Sequence, residues 1–270
     1  MTDKIILIPA THPPKAKKSL GQNFLQDANI ARKIVACLQV GKDDQVLEIG
    51  PGPGMLTSFL REARPARLYM VERDAYWAEI RQRENPVCPG KSQVILADAL
   101  TMPWFKFSDA WKIAGNLPYN IASPLIWDIL SAARGLVRAV FMLQKEVGLR
   151  LVAHPGTGAY GALSVWVQSH ARPKLEFTVP PRVFKPSPKV HSAVLSFIPA
   201  PSGQRPEHPA QLSRLLKICF QKRRKQLAVI LRSEKGFSME LLEELKIKNT
   251  LRPEELSPGD FQRLAGRLFA

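Results

Sequence analysis

From Gln45 onward the chain alternates short apolar runs with stretches of helical period. Val46-Leu47-Glu48-Ile49, Leu68-Tyr69-Met70-Val71, Val94-Ile95-Leu96-Ala97, Ile113-Ala114 and Val137–Met142 predict five strands. Leu56–Glu62, a segment after Asp74 and Pro124–Ala133 predict the helices between them. A further helix is predicted over Ala28–Leu38, with Ile30, Ile34, Val35 and Leu38 on one face and Asp27 or Asn29 as cap. Strands separated by helices need right-handed crossovers, which gives a parallel sheet covered on both faces. Two more strands are expected around Leu163–Gln168 and Ala193–Ile198, joined by a proline-rich stretch without a clear helix. The resulting expectation is a doubly wound α/β domain with a seven-stranded, mostly parallel sheet, the last strand antiparallel at or near an edge.

Pro199-Ala200-Pro201-Ser202-Gly203 ends this pattern. Beyond it, residues 209–232 carry Leu212, Leu215, Leu216, Cys219, Leu227, Ile230 and Leu231 at helical spacing, a second helix begins at Ser238, and Ser257-Pro258-Gly259-Asp260 reads as a capping box. The expected organisation is a tail at 1–14, which is mobile, an α/β domain at 15–200 and a small all-helical domain at 205–270.

Composition changes the picture in one respect. With 45% apolar and 23% charged residues the 270-residue chain is an ordinary globular protein, and no apolar run reaches the ~20 residues of a membrane helix. A cytosolic protein is therefore expected. Cys37, Cys88 and Cys219 lack the spacing of a disulfide framework or a zinc site, so no metal is expected. Charge is the outlier: 39 Lys+Arg against 23 Asp+Glu gives +16, and nucleic acid is the first candidate partner. Residues 211–232 hold seven basic side chains and no acid, with Lys222-Arg223-Arg224-Lys225 as the densest run. A second basic set, Arg172, Lys174, Arg182, Lys185 and Lys189, brackets Phe184. A charge run is often only a solvated face; two of them suit phosphate contact, with RNA shape and flipped bases giving specificity.

The candidate chemistry lies where strands meet helices. Glu48-Ile49-Gly50-Pro51-Gly52-Pro53-Gly54 joins the first α/β strand to its helix. The dinucleotide fingerprint fails there because Met55 stands where a third glycine belongs, and no Gly-Lys-Ser/Thr follows for a phosphate loop. Glu72 ends the next strand, 22 residues after Gly50, where a carboxylate accepts from ribose hydroxyls. Asp98 ends the third, placed for an adenine amino proton. Taken singly these are solvated strand-end acids; taken together they describe an adenosine held without a phosphate clamp, which suits S-adenosylmethionine better than NAD or ATP. Asn116-Leu117-Pro118-Tyr119 follows the fourth strand. The Asn116 oxygen and the carbonyl of Leu117 or Pro118 suit the two N–H groups of an adenine amine, and Tyr119 offers a stacking face.

On these residues, with Leu20-Gly21-Gln22-Asn23-Phe24-Leu25, Gln144-Lys145-Glu146-Val147, Tyr160–Ser164 and Val183–Ser192, the chain from about Lys17 onward resembles the ribosomal RNA adenine dimethyltransferases of the KsgA type. The resemblance implies a Rossmann-like, class I S-adenosylmethionine-dependent methyltransferase fold with a helical RNA-docking domain. It implies donor contacts from Asn23, Leu25, Gly50, Gly52, Glu72, Asp98 and Asn116, catalysis at Asn116, Leu117, Pro118 and Tyr119, and Phe184 as a second stacking wall. RNA contacts are expected from Lys185, Lys189, Lys222, Arg223, Arg224 and Lys225. The implied reaction is N6,N6-dimethylation of two adjacent adenosines near the 3′ end of small-subunit rRNA, by a monomeric enzyme. Competing readings are a large-subunit resistance methyltransferase, a DNA adenine methyltransferase, and a non-enzymatic assembly or transcription factor on the same fold. Trp77 departs from the aliphatic residue usual after the Glu72 motif.

Overall fold

The computed structural model describes residues 21–84 and 92–270; the predicted tail and Cys88 lie outside them. In chain order the elements are β1 (Phe24–Leu25), α1 (Ala28–Leu38), β2 (Gln45–Ile49), α2 (Met55–Glu62), β3 (Arg67–Glu72), α3 (Ala75–Arg83), β4 (Ser92–Leu96), β5 (Trp111–Asn116), α4 (Ala122–Ala132) and β6 (Leu136–Gln144). There follow α5 (Lys145–Leu151), α6 (Ala162–His170), β7 (Ala171–Val179), β8 (Phe184–Lys185), β9 (Ser192–Pro199), α7 (Pro209–Gln221), α8 (Leu227–Leu231), α9 (Met239–Glu244) and α10 (Pro258–Leu268).

Among the described residues seven strands form one sheet in the order β4-β3-β2-β5-β6-β9-β7. The first five in that order pair in parallel, and β9 runs antiparallel to β6 and β7. Strand order reverses between β2 and β5: α2, after β2, and α4, after β5, pack on opposite faces, so the connections part at the carboxyl ends around a crevice, the usual ligand position in an open α/β sheet. Side-chain alternation divides the core. Ala139, Phe141 and Leu143 of β6 and Ala193, Leu195 and Phe197 of β9 face one layer, with α4 and α6. Val140, Met142 and Val194 face the other, with α1 and α2. Gly115 of β5 lies so close to β2 that a Cβ on it would sit 2.7 Å from the Ile49 carbonyl oxygen.

Three expectations need correction. Leu163–Gln168 is not a strand but the middle of α6: Ser164, Val165, Trp166 and Val167 are all buried, so no polar face betrays the helical period. Gly161 N–H bonds the Ser164 hydroxyl at 3.0 Å and starts this helix. The seventh strand is instead β7, within the proline-rich stretch; Pro173 is tolerated because β7 is an edge strand. Finally, residues 209–232 do not form one helix. α7 ends at Gln221, and Lys222–Gln226 turn the chain into α8, so the basic run is a turn rather than a helical surface. Asp27 caps α1 and Ser257 opens α10 with a capping box, as expected, and Ser238, where a helix is expected to begin, caps α9.

The terminal helices are joined to the sheet domain by a continuous core. Leu212, Leu216, Phe261 and Leu264 belong to the same buried cluster as Trp166 and Phe197. The Tyr160 hydroxyl, inside that core, donates to the Leu256 carbonyl at 2.8 Å. No described helix is long and apolar enough to cross a membrane.

Candidate methyl-donor and base site

The crevice is a cleft open to solvent at the ends of β2, β3, β4 and β5, lined by Gly50, Gly52, Glu72, Asp98 and Asn116 among others. Gly50 and Gly52 both have positive φ, 67° and 49°, which an L side chain rarely adopts. A Cβ on Gly52 would lie 3.1 Å from the Phe24 ring, whereas one on Gly50 would meet nothing within 4 Å and would stand in open space. The turn thus presents bare backbone to whatever fills the cleft.

Glu72, at the end of β3, is only 6% exposed. One carboxylate oxygen accepts from Gly52 N–H at 3.0 Å and the other from Asp74 N–H at 2.8 Å. Burial raises its pKa, and the backbone N–H groups of Asp74, Gly52 and Arg73 oppose that shift without cancelling it. The four lone-pair sites of the carboxylate outnumber these backbone donors, so further donors would be favourable. Asp98 accepts from Leu100 N–H at 3.0 Å and faces Arg73 at 3.3 Å. That ion pair is solvent-exposed on the arginine side and worth at most about 1 kcal/mol, so a ligand can displace it.

Asn116 ends β5. Its side-chain Nδ2 donates to the Asn23 carbonyl at 2.8 Å. A carbonyl only accepts, so this contact fixes the amide orientation and leaves Oδ1 as the acceptor at the cleft. Leu117 N–H bonds the Met142 carbonyl of β6 at 2.9 Å. The Pro118 carbonyl accepts from both Ile121 and Ala122 N–H at 3.1 Å, starting α4. Of the two carbonyls proposed from sequence, Pro118 is therefore committed to the helix, and Leu117 is the one that suits a base. Tyr119 Oη lies 2.7 Å from Ser192 Oγ, and burial raises the phenol pKa.

Residues 21–25 cross the cleft as a strap. Gly21 packs against Asn120, with a Cβ position 2.8 Å from that side-chain oxygen, and Phe24 meets Trp77 edge-on at 5.5 Å. The unusual Trp77 thus supports Phe24 over Gly52. Leu25 pairs with Phe184 in a small antiparallel sheet of β1 and β8. Its side chain borders an adjoining smaller cavity with Glu48, Gly50 and Asn116. Phe184 is 4% exposed and packs with Leu25 and Val194, beside the residues that line the cleft. The sequence motifs give Gly21 and Asn120 no role, because their contact across the fold leaves no local signal.

The sequence model described as ribosomal RNA adenine dimethylase matches residues 14–268. The chain belongs to this family. "Ribosomal RNA small subunit methyltransferase A" of Oleidesulfovibrio alaskensis is 57% identical over 258 residues, covering 94% of this chain and 92% of that protein. The protein of the same name from Nitratidesulfovibrio vulgaris is 54% identical, covering 92% and 95%. Among solved structures, a dimethyladenosine transferase from Plasmodium falciparum superposes with a TM-score of 0.79 at 26% identity, covering 89% of this chain and 95% of that one. A 23S rRNA methyltransferase superposes at 0.68 and 25%, covering 92% and 100%.

A dimethylase of this family uses S-adenosylmethionine, and the described residues fit that donor: bare backbone at Gly50, a buried carboxylate at Glu72 and no phosphate loop. Among the described residues no group of three or more His, Cys, Asp and Glu is placed to hold a metal. Of the six expected RNA contacts, Lys185, Lys189, Lys222, Arg224 and Lys225 are exposed. Arg223 is not free in the same way. It bonds Glu254 at 2.7 Å and the Gly158 carbonyl at 3.2 Å, tying the α7–α8 turn to two other loops.

Beneath the glycine turn lies Glu48, 1% exposed, accepting from the Thr57 hydroxyl at 2.7 Å. Burial pushes its carboxyl up to about 7 from an ordinary 4.5, against the opposing effects of Thr57 and the Arg81 charge. The native state holds this proton more tightly than the unfolded chain. This group's contribution is therefore neutral below about pH 4.5, turns unfavourable as pH rises to about 7, and is constant above that. Glu48→Gln keeps an oxygen for Thr57 and removes the charge. Urea unfolding of both proteins from pH 4.5 to 8 should show the variant gaining on the parent as pH rises, by up to about 3 kcal/mol at pH 8. Parallel stability curves would refute the assignment.

Proposed function

We propose that this chain dimethylates the N6 amines of two adjacent adenosines in a loop near the 3′ end of small-subunit rRNA during ribosome assembly. The observation that carries this reading is the Asn116 amide: its nitrogen is held by the Asn23 carbonyl, which leaves its oxygen to accept in the cleft that Asn116 lines, one residue before the Leu117 carbonyl. The donor supplies a methyl group on a cationic sulfur. The chain's residues supply position and charge. Glu72 receives the ribose hydroxyls, Asp98 the adenine amine of the donor, and the glycine turn the path between them.

The difficulty in the acceptor is that the adenine N6 lone pair is conjugated into the ring. Two acceptors, Asn116 Oδ1 and Leu117 O, bind both N–H groups and draw the nitrogen toward a tetrahedral shape with its lone pair exposed. They also stabilise the positive charge that grows on nitrogen as its bond to carbon forms and the carbon–sulfur bond breaks. The methylated amine then loses a proton to solvent, so the turn needs no strong base. Tyr119 holds the extruded base by its face, and in-line positioning carries most of the acceleration. Repeating the reaction on the same nitrogen needs only one remaining N–H, which either acceptor satisfies.

Lys222, Arg224 and Lys225 in the α7–α8 turn and Lys185 and Lys189 before β9 are the exposed cations for rRNA phosphates. Arg223, expected among them, is paired with Glu254.

Undermethylated small subunits, large subunits and duplex DNA, each incubated with labelled donor, distinguish the substrates; label should enter small subunits alone. Asn116→Ala should keep its fold and lose at least about 100-fold in transfer, whereas Glu72→Ala should weaken donor binding in calorimetry by about tenfold or more. Transfer by Asn116→Ala at the parent rate, or label in another substrate, would overturn the reading. Replacing Lys222, Arg224 and Lys225 together by Gln should flatten the log–log salt dependence of RNA binding by about two units and leave donor affinity intact. An unchanged slope would remove the turn from the RNA interface.

A further inference from the structure

Ser192 is the first residue of β9 and is fully buried, opposite Gln144 of β6 and Val179 of β7. The next three residues, Ala193, Val194 and Leu195, are buried and apolar. A hydroxyl at such a position is costly unless bonded, and an alanine would satisfy the packing. Its hydroxyl meets the Tyr119 phenol at 2.7 Å. The other buried serine of β9, Ser196, likewise has a named partner, donating to Glu176 at 2.6 Å.

The contact completes a set of anchors on the catalytic turn. Asn116 is tied to the strap through Asn23, and Leu117 to β6 through Met142. Both fix the turn's first half. Tyr119 lies beyond them, on a side chain with two free torsions, and a bond at its far end fixes the direction of the ring's long axis. Ser192 is itself held in place: the His191 carbonyl accepts from Lys145 N–H at 2.9 Å, which pins the start of β9 beside the end of β6.

We propose that Ser192 is a positioning residue for methyl transfer: its hydroxyl aims the Tyr119 ring, and through it the target base, at the donor. This rests on the reading of Asn116–Tyr119 as the base-holding turn. Ser192 reaches neither donor nor base, and it adds a dependence of turnover on β9 that is separate from donor binding.

The test is a double-mutant cycle of Ser192→Ala and Tyr119→Phe, the latter keeping the stacking face. Methyl transfer to undermethylated small subunits is measured at saturating substrates, with donor affinity by calorimetry and Asn116→Ala as control. Each single variant should lose about five- to tenfold in kcat, the pair no more than either alone, with donor affinity unchanged. Parent-like kcat in Ser192→Ala, losses that multiply in the pair, or a fall in donor affinity would overturn the proposal. Should Ser192→Ala fail to fold, Tyr119→Phe decides: the same loss supports the link and a parent-like rate sinks it. An active Asn116→Ala would sink the base-holding reading itself, whereas an inactive one beside a parent-like Ser192→Ala would sink this inference alone.

Discussion

The buried carboxylate of Glu72 is the constraint on which the site depends. It belongs to β3, yet one of its oxygens accepts from Gly52 in the turn after β2 and the other from Asp74 at the start of α3. One side chain therefore sets the spacing of two neighbouring βα turns. Desolvation still outweighs these backbone donors, as the raised pKa shows. A pair of ligand hydroxyls would add the donors that an ionised carboxylate at this depth lacks. On the proposed reading, the carboxylate that stiffens the crevice is also the group that receives the ribose.

The second half of the site is built by long-range contacts from the rest of the fold. The Asn116–Tyr119 turn leaves β5, but its orientation comes from Asn23, 93 residues earlier, from Met142 on β6 and from Ser192, 73 residues later than Tyr119. Placing β5 between β2 and β6 brings the turn beside the glycine turn, and inserting β9 next to β6 supplies the last anchor. Catalytic geometry and sheet order are thus one problem. Small residues permit the close approaches: Gly115 against the β2 backbone, Gly21 against Asn120.

Much of this was legible in the chain because it is encoded locally. The strand ends carrying Glu72, Asp98 and Asn116 were placed by apolar runs that stop at polar or glycine residues, and the cap at Asp27 and the box at Ser257 are short-range hydrogen bonds. What escaped is encoded by tertiary burial. α6 hides its period because Val165, Trp166 and Val167 are all enclosed, Trp166 stacking on Trp127 at 4.0 Å. The seating of Phe184 against Leu25 needs β8 to pair with β1, a contact between segments about 160 residues apart whose two-residue strands carry no pattern. Arg223 looks like its neighbours in a basic run, and only the folded chain brings Glu254 to it. The choice of Leu117 over Pro118 as the main-chain acceptor likewise needed the start of α4.

Glu72 and the Asn116 turn line one cleft, and on the proposed reading they share a single donor. A crystal structure with S-adenosylhomocysteine is the decisive experiment. Both ribose hydroxyls should lie within hydrogen-bond distance of Glu72, the adenine amine should meet Asp98, and the sulfur should sit beside Asn116 Oδ1. Density for the ligand away from the Gly50–Gly52 turn, or a ribose that leaves Glu72 uncontacted, would contradict the account.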